Sequence, residues 1–152
     1  MKTDLRYSAS DCFQTFPFPV PDPRTVIAPV EAAGQALYEA RAAYMLEQQI
    51  GLTRTYNALK DPADADAAIR DLRALHQAMD RAVLDAYGWT DIEVPPYCPR
   101  TRAERDAVQA FEDEVIDRLY VLNAERAREE ERLGLGKSAK GKKSAGRKRS
   151  KA

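Results

Sequence analysis

The stretch Gly51–Asp91, GLTRTYNALKDPADADAAIRDLRALHQAMDRAVLDAYGWTD, decides the fold. Within it Ile69, Leu72, Leu75, Met79, Ala82, Val83 and Ala86 recur mostly at three- and four-residue steps, the period of a helix face turned toward a core. The spacing predicts a helix over about 63–87, stopped by Gly88. Ahead of it, Leu52–Leu59 predicts a short helix closed by Asp61-Pro62, because the residue before proline avoids helical backbone.

Outward from this stretch the same period appears twice more. Pro29 suits a first helical position and Glu31 the positive end of a helix dipole. Ala33, Leu37, Ala40, Tyr44 and Gln48 then form one stripe, flanked by Ala36, Ala43 and Ile50, so a helix is expected over about 29–50 with Gly51 as its stop or kink. On the far side, Thr101-x-x-Glu104 is a capping box. Val108, Phe111, Val115, Leu119 and Leu122 form the apolar stripe of the helix it opens, and Leu133-Gly134 ends the ordered part. Residues 1–28 read as an extended strap: Pro17, Pro19, Pro21 and Pro23 exclude a long helix, and Tyr7, Cys12, Phe13, Phe16 and Phe18 suit docking on a surface. The expectation is an all-α fold. Residues 29–133 should form an antiparallel bundle of three to four helices, with the strap before it and a basic tail, 134–152, after it.

Charge is segregated along the chain. The formal net charge is +0, but the tail GLGKSAKGKKSAGRKRSKA holds eight Lys/Arg and no acid, while the 133 residues before it carry 16 bases and 24 acids. A segment so polar cannot bury enough surface to offset its ordering entropy, and disorder is expected. Its bases, Lys137, Lys140, Lys142, Lys143, Arg147, Lys148, Arg149 and Lys151, suit contact with nucleic-acid phosphate. The alternative is a solubilising terminus without a specific partner.

Cys12 and Cys98 are too few for a disulfide framework or a zinc site, and His76 is the single histidine, so no metal site is expected. No apolar run reaches the ~20 residues of a membrane span, and MKTDLRYSAS lacks the apolar core of a signal peptide, so a soluble cytoplasmic protein without membrane partners is expected. His76, on the edge of an apolar stripe, reads as a hydrogen-bonded core or interface histidine. The charged run from Glu112 to Arg132 reads as a solvated face laced with ion pairs. The most suggestive polar group is Arg54, Tyr56 and Asn57 on the short helix, side chains able to touch phosphate or base edges. The structural alternative is that Leu52, Tyr56 and Leu59 pack while Arg54 and Asn57 cap or bridge helix ends.

The segments YSASDCFQTFPFP, GLTRTYN, LHQAMDRAVLDAYGW and RLYVLNAER resemble the C-terminal region of adenine-specific DNA methyltransferases of the Mme-type restriction–modification kind, also used in DISARM phage defence. The resemblance spans about Leu5 to Leu133. It implies that Leu5–Pro19, which carries Arg6, Tyr7, Ser8, Ser10 and Asp11, closes a target-recognition domain, and that the rest is the helical end of the enzyme; the hydroxyls of that block and Arg6 suit contact with the sugar–phosphate backbone, the alternative being packing by Phe13, Phe16 and Phe18. The parent family uses S-adenosylmethionine, but its catalytic and cofactor residues have no matching positions here. Pro95-Pro96-Tyr97 is preceded by Val94, not by the polar residue of the family's Asn-Pro-Pro-Tyr loop, and reads as a structural loop. No strand–turn–helix with a glycine-rich turn is present for the cofactor. The expected role is therefore a non-catalytic C-terminal fragment or split subunit that supports DNA engagement, with a methylase encoded upstream as partner and no cofactor of its own. An independent helical interaction module with a nonspecific nucleic-acid-binding tail is the alternative.

Overall fold

The computed structural model describes Phe13 and residues 15–134. The candidate phosphate-contacting bases of the tail, and Arg6, Tyr7, Ser8, Ser10, Asp11 and Cys12, lie outside those residues. Four helices are laid out within residues 28–132: α1 (Ala28–Glu47), α2 (Leu52–Lys60), α3 (Ala67–Ala86) and α4 (Arg102–Arg132). No strand occurs among the described residues, so the all-α expectation holds. No helix is long and apolar enough to cross a membrane among them.

The helix ends follow from local chemistry, and two differ by several residues from the sequence reading. Helix α1 stops at Glu47, before Gly51. Gln49 turns the chain at φ 51, and the Ile50 amide reaches back to the Met45 carbonyl at 3.1 Å. Glutamine thus takes the left-handed position that glycine usually fills. Gly51 instead has extended backbone and opens α2, where the Thr55 amide and hydroxyl both donate to its carbonyl at 3.2 Å. Helix α3 begins at Ala67, four residues later than expected. The intervening aspartates hold turns: Asp61 accepts from the Ala63 amide at 2.9 Å and Asp64 from the Asp66 amide at 3.0 Å. Asp66 then caps α3 by accepting from the Ala68 amide at 2.7 Å. At the other end Gly88, φ 76, completes a Schellman motif: its amide bonds Asp85 and the Trp89 amide bonds Leu84, each at 2.9 Å. The capping box of α4 forms as expected. The Glu104 amide donates to Thr101 Oγ1 at 3.1 Å, and Glu104 Oε2 accepts from the Thr101 amide at 2.9 Å.

Residues 18–115 form one compact unit. Its core is Leu37 and Tyr44 of α1, Leu59 of α2, and Ile69 and Leu72 of α3, with Leu75, Met79, Tyr56 and Tyr97 packed against it. Helix α1 packs along α3, and α2 closes on α3 beside it. Residues 102–115 enter no helix pairing comparable to these. The stripe residues Val108, Phe111 and Val115 are half-buried, and α4 contains no fully buried residue.

The second unit holds, among the described residues, Phe13, residues 15–17 and residues 116–134. In it Pro17 is buried, Leu119 and Leu122 are half-buried, and Ile116, Tyr120 and Val121 are exposed at 62%, 76% and 55%. Phe13 and Thr15 have helical backbone where an extended strap is expected. The prolines that forbid helix begin only at Pro17, and from there to Ile27 the chain is irregular.

Candidate nucleic-acid interface

Helix α3 organises the surface of the larger unit through three polar residues spaced four apart, hence on one face. Arg73 is buried at 8% exposure. Its Nε donates to the Leu59 carbonyl, Nη1 to Asp64 and Nη2 to Ala58, each at 3.0 Å; Nη2 also donates to Asp61 at 2.6 Å. Ala58 and Leu59 lie in the last turn of α2, where carbonyls lack helical partners and the dipole is negative, so a guanidinium is held well there. Gln77 donates to the Pro95 carbonyl at 3.1 Å. Arg81 donates to Ile92 at 2.6 Å and to Trp89 at 2.8 Å, and pairs with Asp85 at 2.7 Å. Thus Arg73 fixes the α2–α3 loop, while Gln77 and Arg81 fix the α3–α4 loop.

Between these clamps sits an aromatic cluster. The His76 ring stacks on Tyr97 at 4.3 Å and 22°, and meets the Tyr56 ring edge-on at 6.0 Å and 68°. Arg41 of α1 donates to the Tyr56 hydroxyl at 2.9 Å. The hydrogen bond expected for His76 is absent at Nε2, which is buried with no partner among the described residues; ring stacking holds the side chain instead. Burial, reinforced by the Arg41 charge, holds the His76 pKa below its ordinary value, and burial raises that of Tyr97. Tyr97 explains the Pro95-Pro96-Tyr97 sequence: it is a structural loop whose aromatic ring covers His76.

The candidate trio on α2 is split by this packing. Tyr56 is half-buried and committed to Arg41 and His76. Arg54 and Asn57 are exposed, and neither caps nor bridges a helix end through its side chain. Leu59 is fully buried as the structural reading expects, but Leu52 is 50% exposed. Of the trio, only Arg54 and Asn57 therefore remain exposed.

Two shallow clefts flank Ala74 and Gln77. One, of about 570 Å³, lies between α3 and residues 90–94; the other, of about 320 Å³, is lined by Arg70, Arg73, Gln77, Tyr97, Cys98, Arg100 and Glu104 among others. Periodicity does not single out these arginines. The available signal is the i, i+4, i+8 row Arg73, Gln77, Arg81 running beside the apolar stripe. Among the described residues no group of three His, Cys, Asp or Glu side chains is placed to hold a metal ion. No family model, curated protein or solved structure matches this chain.

Proposed function

We propose that this chain is a non-catalytic helical piece, a C-terminal fragment or split subunit, of a defence-associated DNA adenine methyltransferase, and that it supports DNA engagement. The observation that carries the reading is the use of the most distinctive sequence block. Its Arg73, His76, Gln77 and Arg81 are committed to holding loops and packing rings, while Arg54 and Asn57 stay exposed. Such a block supplies a rigid surface and leaves the chemistry to a partner carrying S-adenosylmethionine. The basic tail supplies sequence-independent affinity for phosphate, because the body before it is acidic.

The test is DNA binding by the full chain and by a chain ending at Leu133. The full chain should bind duplex DNA with affinity falling steeply in salt, by a log–log slope of about −0.9 per phosphate contacted. The shortened chain should lose measurable affinity, and neither should bind S-adenosylmethionine by calorimetry. Marked sequence preference in the shortened chain would move recognition into the helices, to Arg54 and Asn57. Micromolar cofactor binding would overturn the non-catalytic reading. Co-purification with a methylase encoded upstream is expected.

A second reading is an independent helical interaction module. It is favoured by the exposed Ile116, Tyr120 and Val121 on α4. The antiparallel bundle with α4 as its third member belongs with this proposal: the half-buried stripe Val108, Phe111, Val115, Leu119 and Leu122 has the spacing such a layer needs.

A further inference from the structure

We propose that the cleft lined by Arg70, Arg73, Arg100, Gln77, Tyr97 and Cys98 is a seat for one phosphodiester group of a nucleic-acid strand. The inference rests on the DNA-engagement reading above and adds a site in the folded body. The starting point is the charge of Arg73. Its guanidinium is buried and bonded to four carbonyls, yet among the described residues no carboxylate pairs with it. Carbonyl dipoles solvate that charge but do not cancel it, and a buried charge is screened less by water and salt than an exposed one.

Two further guanidiniums stand at the same cleft. Arg70, four residues after the Asp66 cap and three before Arg73, is exposed, and its side chain has no hydrogen bond or ion pair among the described residues. Arg100 lies on the loop entering α4 and is likewise exposed; among the described residues no carboxylate is within ion-pair distance of its guanidinium, although its charge acts on Glu104. Against these three positive groups the lining holds one carboxylate, Glu104. That carboxylate is occupied by the Thr101 and Arg100 amides of the capping box, which, with a smaller contribution from the Arg100 charge, hold its pKa below the ordinary value and keep it charged. The site is thus built from side chains on two elements and does not depend on the amides at the α4 N-terminus. The rest of the body is predominantly acidic, so a concave arginine cluster is a local reversal of sign.

Planar guanidiniums match phosphate oxygens bidentately, and the Gln77 amide and Tyr97 hydroxyl line the same cleft. One phosphate is the appropriate size of ligand: the cleft is about 320 Å³ and open, and it presents two exposed arginines beside the buried third. Such a seat is too weak alone to hold DNA against an acidic body. It acts when the tail has already brought the strand close, because tethering raises the effective concentration.

The test uses the full chain with the double substitution R70Q/R100Q. The control R24Q/R102Q removes the same charge from positions outside the cleft, where Arg24 pairs with Asp22 and Arg102 with Asp106. The expected result is a salt slope smaller by about 0.9, one phosphate contact, in R70Q/R100Q and unchanged in the control. Thermal unfolding checks that both variants fold. Cys98 lines the cleft as a free thiol, so duplex DNA should slow its alkylation in the wild-type chain and not in R70Q/R100Q, read by peptide mass. Equal slopes in the two double variants, or Cys98 alkylation indifferent to DNA, would overturn the site while leaving tail binding standing. A wild-type chain that binds no DNA at low salt would overturn both readings together.

Discussion

Helices α3 and α4 read alike in sequence and are used differently in the fold. Each carries an apolar stripe at helical spacing. Helix α3, 20 residues long, buries Ile69, Leu72, Leu84 and the guanidinium-bearing Arg73, whereas α4, 31 residues long, contains no fully buried residue. The polar side chains show the reason. Those of α3 reach outward to the carbonyls of two loops, which pins neighbouring chain over the stripe. Several of those of α4 bond along the helix itself, Gln109 to Asp113, Arg102 to Asp106 and Arg132 to Glu129, while Arg105 reaches back only to the Arg100 carbonyl just before it. A stripe sets which way a helix faces; burial requires a second element whose backbone is held against it.

The comparison can be broken most sharply at Arg73. Arg73→Ala leaves four carbonyls, two of them at the end of α2, without their buried donor, and should cost about 4 kcal/mol in denaturant unfolding. Arg102→Ala, on the solvated face of α4, should leave the midpoint unmoved. Equal small losses would mean that the loop clamp contributes nothing. Next in size is Leu59→Ala, which empties a fully buried position and should destabilise by about 3 kcal/mol. Tyr120→Ala, at 76% exposure, should stay within about 0.5 kcal/mol in the same assay. A large loss there would show that α4 does have a packed partner face.

A smaller effect sharpens the account of helix ends. Gln49→Gly should stabilise the chain by about 0.5 kcal/mol, because φ 51 strains a side-chain-bearing residue and suits glycine. Loss of stability would mean that the glutamine side chain, not its backbone, matters at that turn. The last effect is a direction with pH. His76 has its folded pKa below the unfolded value, so the unfolded chain binds more protons between the two. Its contribution is present above about pH 6.5, the unfolded histidine value, and is lost as pH falls toward the folded one. Asp80, whose carboxyl is raised by desolvation, acts in the opposite sense at lower pH, so the two must be separated. His76→Phe keeps a ring between Tyr56 and Tyr97, and its unfolding midpoint should lose the wild type's fall between neutrality and mild acid. A variant that follows the wild-type profile would assign the acid sensitivity elsewhere.

Much of this was legible from short-range chemistry. The stripes of α1 and α3, the Thr101–Glu104 capping box, the Gly88 stop and the Asp61-Pro62 break all follow from one or two turns of sequence. The misplaced ends have specific causes. Gln49 competes with Gly51 for the left-handed turn, and three aspartates spend residues 61–66 on side-chain-closed turns before α3 starts. The candidate trio Arg54, Tyr56 and Asn57 was only partly legible, because Tyr56 is withdrawn by partners 15 and 20 residues away in sequence, Arg41 and His76.

The helical class, the separation of an acidic body from a basic tail and the core faces of α1 and α3 are written in local sequence, because propensity, capping, charge and periodicity act over a few residues. Which polar residues build and which stay exposed depends on how the chain packs. Arg73 becomes a clamp because α2 ends beside it, His76 becomes a stacked ring because Tyr97 folds over it, and Arg70 with Arg100 becomes a charged cleft because the α3–α4 loop returns along α3. Those assignments depend on which chain segment lies within a few ångströms, a distance that local sequence does not encode.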